Sequence, residues 1–349
     1  MSNVVPLSML DEHGIRDADL LKRLADTPPL IRDIELRRLR EEQQRRDTVR
    51  ALPRDARRRA ETRHVIAEEG GGDKDNMRHI HSVLAICALP YQAMPITTRE
   101  WERTQGHMRL KVIAGELTNP NSGEWVPQPL PSGSRARLVL LHICSEAIRK
   151  KSPTVEVGDS LSGFIRSMGI AVTGGKNGSI NSFKQQINAL VASDMRFGLW
   201  NGEQARTIKA QPFTSVDIWL PQSPNQKMLW PERLTLGDQF YATLTKHAMP
   251  VNLHAVRAFA ASPRKLDLYF WISYRYTSIS RPVLIPWASL KEQFGVGYAR
   301  ERRFRADFAD EIREIKEVFP KLPVRLDEFG FTILPGAAEV LAIPTKTRK

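Results

Sequence analysis

Between residues 299 and 319, long cationic side chains recur at helical spacing opposite a run of aromatic and aliphatic ones. Winding the segment at about 100° per residue puts Phe304, Phe308, Ile312, Ile315 and Phe319 on one stripe, which must face a core. Arg302, Arg305, Arg313 and Lys316 fall opposite, with Ala306 and Ala309 between them, and the acids Asp307, Asp310, Glu314 and Glu317 are displaced to the flank. A helix entering a major groove needs long donors for guanine edges and phosphates, and small side chains that allow close approach. The outward stripe supplies both, and Arg300 and Arg303 in the first turn would lie near the groove walls. A helix that is merely solvated mixes its charges more often than this one does.

Residues 179–193 form a second helix of different character. Ile180, Phe183, Ile187, Leu190 and Val191 are expected inside, with Asn181, Gln185, Asn188, Ala189 and Ala192 outside. Asn and Gln can read adenine, but Lys184 lies only at the edge, so phosphate neutralisation is poor. Protein contact or a secondary DNA contact through Lys184 and Gln185 is therefore expected here.

Other motifs carry less. His79-Ile80-His81 matches a His-hydrophobic-His pattern that holds a divalent metal in rolling-circle nicking nucleases, with Tyr274 and Tyr276 available as nucleophiles in principle. Those tyrosines lie in a very apolar helix, and the histidines sit at the edge of a polar leader. Gly169–Asn177 fails the phosphate-loop pattern, because an extra Gly precedes Lys176 and no Ser or Thr follows it. Cys87 and Cys144 sit in apolar surroundings suited to buried thiols and make neither a disulfide framework nor a zinc set. No catalytic residue, metal or cofactor is expected.

The elements that must position the basic helix occur twice in one order. In the second copy, Ser262-Pro263 opens a helix through Tyr269, Trp271 and Tyr274. A strand at Val283–Ile285, a helix through Trp287, Leu290 and Phe294, a turn at Gly295 and Gly297, the 299–319 helix and strands at 324–327 and 331–334 follow. In the first copy, helices are expected at 138–149, 160–168 and 179–193, with strands at 154–157, 195–200 and 207–220. Pro153, Val155, Val157, Ser160 and Leu161 align without a gap with Pro282, Leu284, Pro286, Ser289 and Leu290. The expected fold class is α+β, two tandem winged-helix domains at 83–222 and 223–349 joined by a Pro-rich linker at 221–231. The leader, 1–82, is a charged, partly helical or disordered extension in which Glu41 with Arg45 and Glu42 with Arg46 are i,i+4 pairs, broken by Gly70–Gly72.

Composition agrees with a polyanionic partner: 52 Lys and Arg against 39 Asp and Glu leave a net charge of +13 over 349 residues. The N-terminus lacks the pattern of a signal peptide, and no apolar run approaches the roughly 20 residues of a membrane span. A bacterial cytoplasmic location is expected.

With these residues in view, the chain resembles the plasmid-encoded RepA replication initiator family over roughly residues 86–340. The resemblance rests on Leu89-Pro90-Tyr91, Trp101, Asn119-Pro120 with Ser122-Gly123-Glu124-Trp125, and Arg137-Leu138 with Ser145-Glu146-Ala147. It continues through Val155-Glu156-Val157 with Ser160-Leu161, then Ser262-Pro263, Leu266-Asp267-Leu268-Tyr269 and Tyr274-Arg275. It implies an initiator that binds repeated origin sequences in double-stranded DNA, helps open the duplex, recruits a host replication initiator or helicase, and represses its own promoter. It also implies a C-terminal module for the main DNA contact and an N-terminal module for dimerisation, in a monomer–dimer equilibrium. A transcriptional regulator without a replication role is the alternative, and a nicking endonuclease a more distant one.

Overall fold

The computed structural model describes residues 14–69, 73–119, 122–174, 178–200, 202–216, 233–276 and 278–343. The expected linker at 221–231, the glycines at 70–72, Lys176 and the N-terminal residues through 13 lie outside them. The architecture mixes helix and sheet, as expected, and divides into two units, 1–61 and 62–349.

The first unit holds α1 (Ala18–Ala25), α2 (Arg32–Ala51) and the start of α3 (Arg54–Glu69). Its core is small, made of Ile15, Leu20, Leu24 and Leu39. Charge does much of the rest: Asp17 accepts from Arg46 at 3.0 Å and from Arg50 at 2.6 Å, and the expected Glu42–Arg46 pair closes at 2.7 Å.

The second unit begins with β1 (Met77–His81) and α4 (Ser82–Ile86), then β2 (Glu100–Gln105), β3 (Met108–Ile113), β4 (Glu116–Thr118) and β5 (Trp125–Pro127). Next come α5 (Gly133–Lys150), β6 (Thr154–Glu156), α6 (Gly158–Ser167), α7 (Ser179–Ala192), β7 (Asp194–Trp200), β8 (Ala205–Ala210) and β9 (Phe213–Val216). After them run β10 (Arg233–Leu236), α8 (Asp238–His247), β11 (Ala248–Asn252), α9 (Leu253–Phe259) and α10 (Pro263–Tyr276). The chain closes with β12 (Val283–Pro286), α11 (Trp287–Phe294), α12 (Glu301–Val318), β13 (Val324–Leu326) and β14 (Gly330–Ile333).

The later copy forms as its sequence pattern requires. Ser262 Oγ accepts from the Lys265 N–H at 3.3 Å where Pro263 opens α10. Trp271, Phe294, Phe308 and Phe331 then meet at ring separations of 5.2 to 6.1 Å, joining α10, α11, α12 and β14 in one aromatic core. The sheet order is β12-β14-β13, all antiparallel. Gly330 (φ +155°) lets β14 approach β12, since a Cβ there would lie 2.1 Å from the Ile285 carbonyl oxygen.

The earlier copy has the expected helices but a different sheet. Its hairpin β7-β8 does not return to β6; it joins β2 and β3 in a four-stranded antiparallel sheet ordered β2-β3-β7-β8. Leu110 and Val112 on β3 and Met195 and Phe197 on β7 supply that sheet's buried face. Strand β6 pairs instead with β10, which also pairs with β9. The stretch expected as one strand at 207–220 is thus two strands, β8 and β9, serving different sheets, with 217–220 undescribed. Strands also cross the expected 222/223 and 82/83 boundaries, because β10 completes a sheet with β6, and β1 pairs with β11.

That last pairing extends the duplication beyond its sequence signal. Residues 77–81 pair antiparallel with 252–248, so His79 faces Pro250 at the centre and each strand meets its counterpart about a local twofold axis. Each strand's last residue caps the helix that follows. The Val83 N–H donates to His81 Nδ1 at 3.2 Å, and the His254 and Ala255 N–H groups donate to Asn252 Oδ1 at 2.9 and 3.2 Å.

Arg137 on α5 ties the copies together. Its Nε and Nη2 donate to the two carboxylate oxygens of Asp267 on α10, each at 2.7 Å, with side-chain exposures of 3% and 4%. Its remaining donors reach the carbonyls of Leu89, Pro90 and Gly133 at 2.7, 3.2 and 2.8 Å. Every guanidinium N–H has an acceptor, which is the condition for a buried Arg to be tolerated.

Arg137→Ala leaves Asp267 buried without its counter-charge and is expected to cost about 3–5 kcal/mol in urea unfolding, while Arg137→Met with Asp267→Leu recovers a large part of that loss. A second expectation concerns acid. Burial lowers His81 and His142 to about 4, against about 6.5 in an unfolded chain. The unfolded state therefore binds more protons between these values. The stability they confer is complete above pH 6.5 and is lost as pH falls through about 4, by up to about 3 kcal/mol for each. His81→Asn, which copies the cap at Asn252, should flatten the loss seen between unfolding curves at pH 7 and pH 4.5.

Candidate nucleic-acid interface

Helix α12 presents two faces, as its winding requires. Phe304, Phe308, Ile312 and Ile315 are buried, and so is Phe319 just beyond the helix. Arg302, Arg303 and Arg313 are exposed, Arg305 and Lys316 half-exposed, and Arg300 is exposed at the N-cap. Ala306 is exposed and Ala309 half-exposed, so the space between the cations is open to close approach. Gly297 (φ +89°) supplies the turn that brings α11 into α12.

The acids explain how the cations come to stand outside. Arg264 at the start of α10 donates its Nε to both oxygens of Glu311, at 2.8 and 2.7 Å, and a terminal nitrogen to the Tyr298 hydroxyl. The Tyr298 hydroxyl donates to Asp307 at 2.8 Å, and Lys265 pairs with Glu314. Burial raises the Glu311 carboxyl above its ordinary value, with Arg264 pulling it back. Three acids of α12 are thus turned toward α10 or the Tyr298 turn and clamp the helix by its inner flank.

Three of the outer cations have local ion pairs within α12. Arg303 lies 3.0 Å from Asp307, Arg313 3.0 Å from Asp310, and Arg305 donates its Nε to Glu301 at 2.9 Å. Arg305 also stacks on Trp287 of α11, 5.1 Å from the ring centre. Exposed pairs of this kind contribute about 0–1 kcal/mol and exchange readily for a phosphate.

Helix α7 presents no comparable surface. Gln185 is exposed, but Lys184 is half-buried, and burial lowers its ammonium below the ordinary value. Ala189, expected outside, is buried, because α7 packs on more than one side, against α5, β9 and β4. Asn181 and Asn188 are half-buried. The structure does not bring Lys184 and Gln185 together with the α12 cations as one helix face; they stand on separate helices of the two copies. The metal motif is likewise occupied otherwise: His81 is buried between Phe197 and Phe240 with Nδ1 capping α4. Among the described residues no group of three or more His, Cys, Asp or Glu could hold a metal ion. Cys87 and Cys144 are buried free thiols, both raised to about 12 by burial. No helix among the described residues is long and apolar enough to cross a membrane.

The fold and this face define a mixed α and β protein with a repeated helix–strand–helix–helix–hairpin unit, whose later copy carries cations on the outward face of α12. Residues 130–284 match the family model described as plasmid-encoded RepA protein, and the family resemblance drawn from the sequence holds over that stretch. The matched region ends within β12, so α12 lies outside it. Among solved structures, the chain is similar to domains 2 and 3 of RctB, crystallised as selenomethionine derivatives, at 11% identity and a TM-score of 0.41, over 67% of this chain and 85% of that one. No curated protein matches the sequence.

Arg264→Ala removes the main partner of a nearly buried Glu311 and is expected to cost about 3 kcal/mol of stability. Lys265→Ala, whose ion pair is more exposed, should cost under about 1 kcal/mol. Parallel urea titrations of the two variants check the difference.

Proposed function

We propose that the chain is a plasmid replication initiator that binds repeated double-stranded DNA sequences at an origin, with α12 as the principal reading element. The observation that carries this is the separation of charge on α12, where acids are drawn inward by Arg264, Lys265 and Tyr298 while Arg302, Arg305, Arg313 and Lys316 stand outside. A short helix, a glycine turn and a second helix are what a helix-turn-helix uses to set one helix in the major groove. The sheet order β12-β14-β13 that follows supports a winged helix over residues 223–349. The wing tip Asp327-Glu328-Phe329-Gly330 is short and acidic and stays off the DNA.

Residues 83–222, with β1 before them packed on α5 and β10 beyond them completing a sheet with β6, form the second module, which dimerises or makes a secondary DNA contact, and the charged helices of residues 14–61 are an extension that precedes it. Occupied repeats would strain the neighbouring duplex toward opening and gather a host replication initiator or helicase. The same contact at the chain's own promoter would repress it. The protein acts in the bacterial cytoplasm as a binding machine in a monomer–dimer equilibrium, with no catalytic step, metal or cofactor of its own. The family match supports initiation over plain transcriptional regulation.

Footprinting across the neighbouring noncoding DNA is expected to give regularly spaced protection, whereas one isolated palindrome would assign the chain to transcriptional regulation. Arg302→Ala or Arg305→Ala should cost about 1–3 kcal/mol of specific affinity where the side chain meets a base. Wild-type affinity in both variants would remove α12 from the interface.

A further inference from the structure

The sheet β2-β3-β7-β8 has one buried face and one open face. Register and alternation place Lys111, Arg196 and Lys209 directly opposite one another on the open side of three adjacent strands. Arg196 and Lys209 are exposed, and Lys111 is half-exposed. Arg109 is exposed on the same face, two residues along β3, opposite Gly198. At about 4.8 Å between strands, this is a row of like charges, and like charges placed directly across a sheet destabilise it. Lys111 is offset by Glu100 at 2.6 Å, and Glu102 ends the row on β2. Arg109, Arg196 and Lys209 form no ion pair among the described residues. Asp194, at the near end of β7, is held by Gln211 at 3.0 Å.

Farther along the same face stands Trp200, 52% exposed, its ring 6.5 Å from that of His107. Gly198 lies between the cation row and this ring and keeps the middle of the face low; even a Cβ there would press on Arg109 at 3.3 Å. An exposed indole beside repelling cations costs stability with no return inside the fold. A ligand with negative charges at intervals and flat apolar faces between them would use both. In a duplex the base faces are stacked on one another, whereas a single strand can turn them onto an aromatic ring.

We propose that the open face of β2-β3-β7-β8 is a second nucleic-acid surface that takes a single strand, with phosphates along Arg109, Arg196 and Lys209 and a base stacked on Trp200. The surface is separate from α12, and it stands or falls independently of duplex reading by that helix.

The test uses the full chain with fluorescent dT and rU oligonucleotides, read by anisotropy over a salt series, and origin duplex in parallel. Wild type is expected to bind the single strands. Arg196→Ala with Lys209→Ala should weaken that binding at least tenfold and reduce the salt slope by about 1.4, the share of two phosphates on a single strand. Trp200→Ala should weaken it about 5- to 100-fold, as for one stacked base. Arg302→Ala with Arg305→Ala should leave single-strand affinity unchanged while duplex affinity falls. Equal binding of dT and rU supports recognition of any single strand, and preference for one supports the same surface with that strand as its ligand. The charge variants should melt at or above the wild-type temperature because repulsion is relieved. Failure of wild type to bind either oligonucleotide, wild-type affinity in either sheet variant, or a lowered melting temperature in the charge variant would overturn the proposal.

Discussion

A single guanidinium fixes how the two copies meet. Arg137 comes from α5, its carboxylate from α10, and its remaining acceptors from the backbone of Leu89, Pro90 and the start of α5. Because the group is planar and its donors form a rigid fork, satisfying all of them in a dry environment fixes orientation as well as distance. An apolar pair of the same volume would also fill the space, but it would leave rotation between α5 and α10 to packing alone. The β1-β11 ribbon lies on the same junction, since α5 packs on β1 and α10 packs on α4 and β11. The Ser145 hydroxyl strengthens this seam by accepting the His79 N–H at 2.8 Å. The angle between the two sets of helices is therefore set by directional contacts on both sides.

On this frame, the same order of elements serves two ends. In the later copy, α12 is clamped by its acids, and the hairpin β13-β14 closes on β12 within its own module. In the earlier copy, the 46 residues between α4 and α5, 87–132, bring β2 and β3, and the hairpin β7-β8 turns away to pair with them over six residues. Once that happens β6 needs another edge, and β10 provides it. Helix α7 packs Ala189 inward and presents amides where α12 presents arginines. The added segment thus draws the hairpin away from β6 and builds a separate sheet.

The later copy was legible because its signals are local. Ser262-Pro263, the prolines around β12, Gly297, and the stripe from Phe304 to Phe319 each mark an element without reference to distant chain. The outward cations followed from the same periodicity. What escaped depends on pairing at long range: β6 finds its partner 77 or more residues onward, and β1 finds β11 some 170 residues away. Alternation in Met77–His81 or Arg233–Leu236 marks a strand but says nothing of its neighbour. The cation row on β3, β7 and β8 was hidden for the same reason, since Lys111, Arg196 and Lys209 become adjacent only through register. Ala189 was misplaced because a small residue fits either side of a helix and only the partner decides.

The charge of the chain is consequently not one surface. Its excess of Lys and Arg is divided among the salt-bridged helices of residues 14–61, the outer stripe of α12 and the open sheet. In the first of these, Arg16, Arg23, Arg46 and Arg50 face carboxylates within hydrogen-bond reach, which cancels much of their field beyond a Debye length of about 8–10 Å. On α12 the cancellation is by exposed i,i+3 and i,i+4 pairs, weak enough for a polyanion to displace. On the open face of the sheet, Lys111 is the one cation offset by a carboxylate within ion-pair distance among the described residues. Net charge alone therefore overstates the basic surface available, and what leaves a face cationic is where the acids are fastened. In this chain, Glu311 and Glu314 are fastened inward by α10, which leaves the outward face of α12 positive.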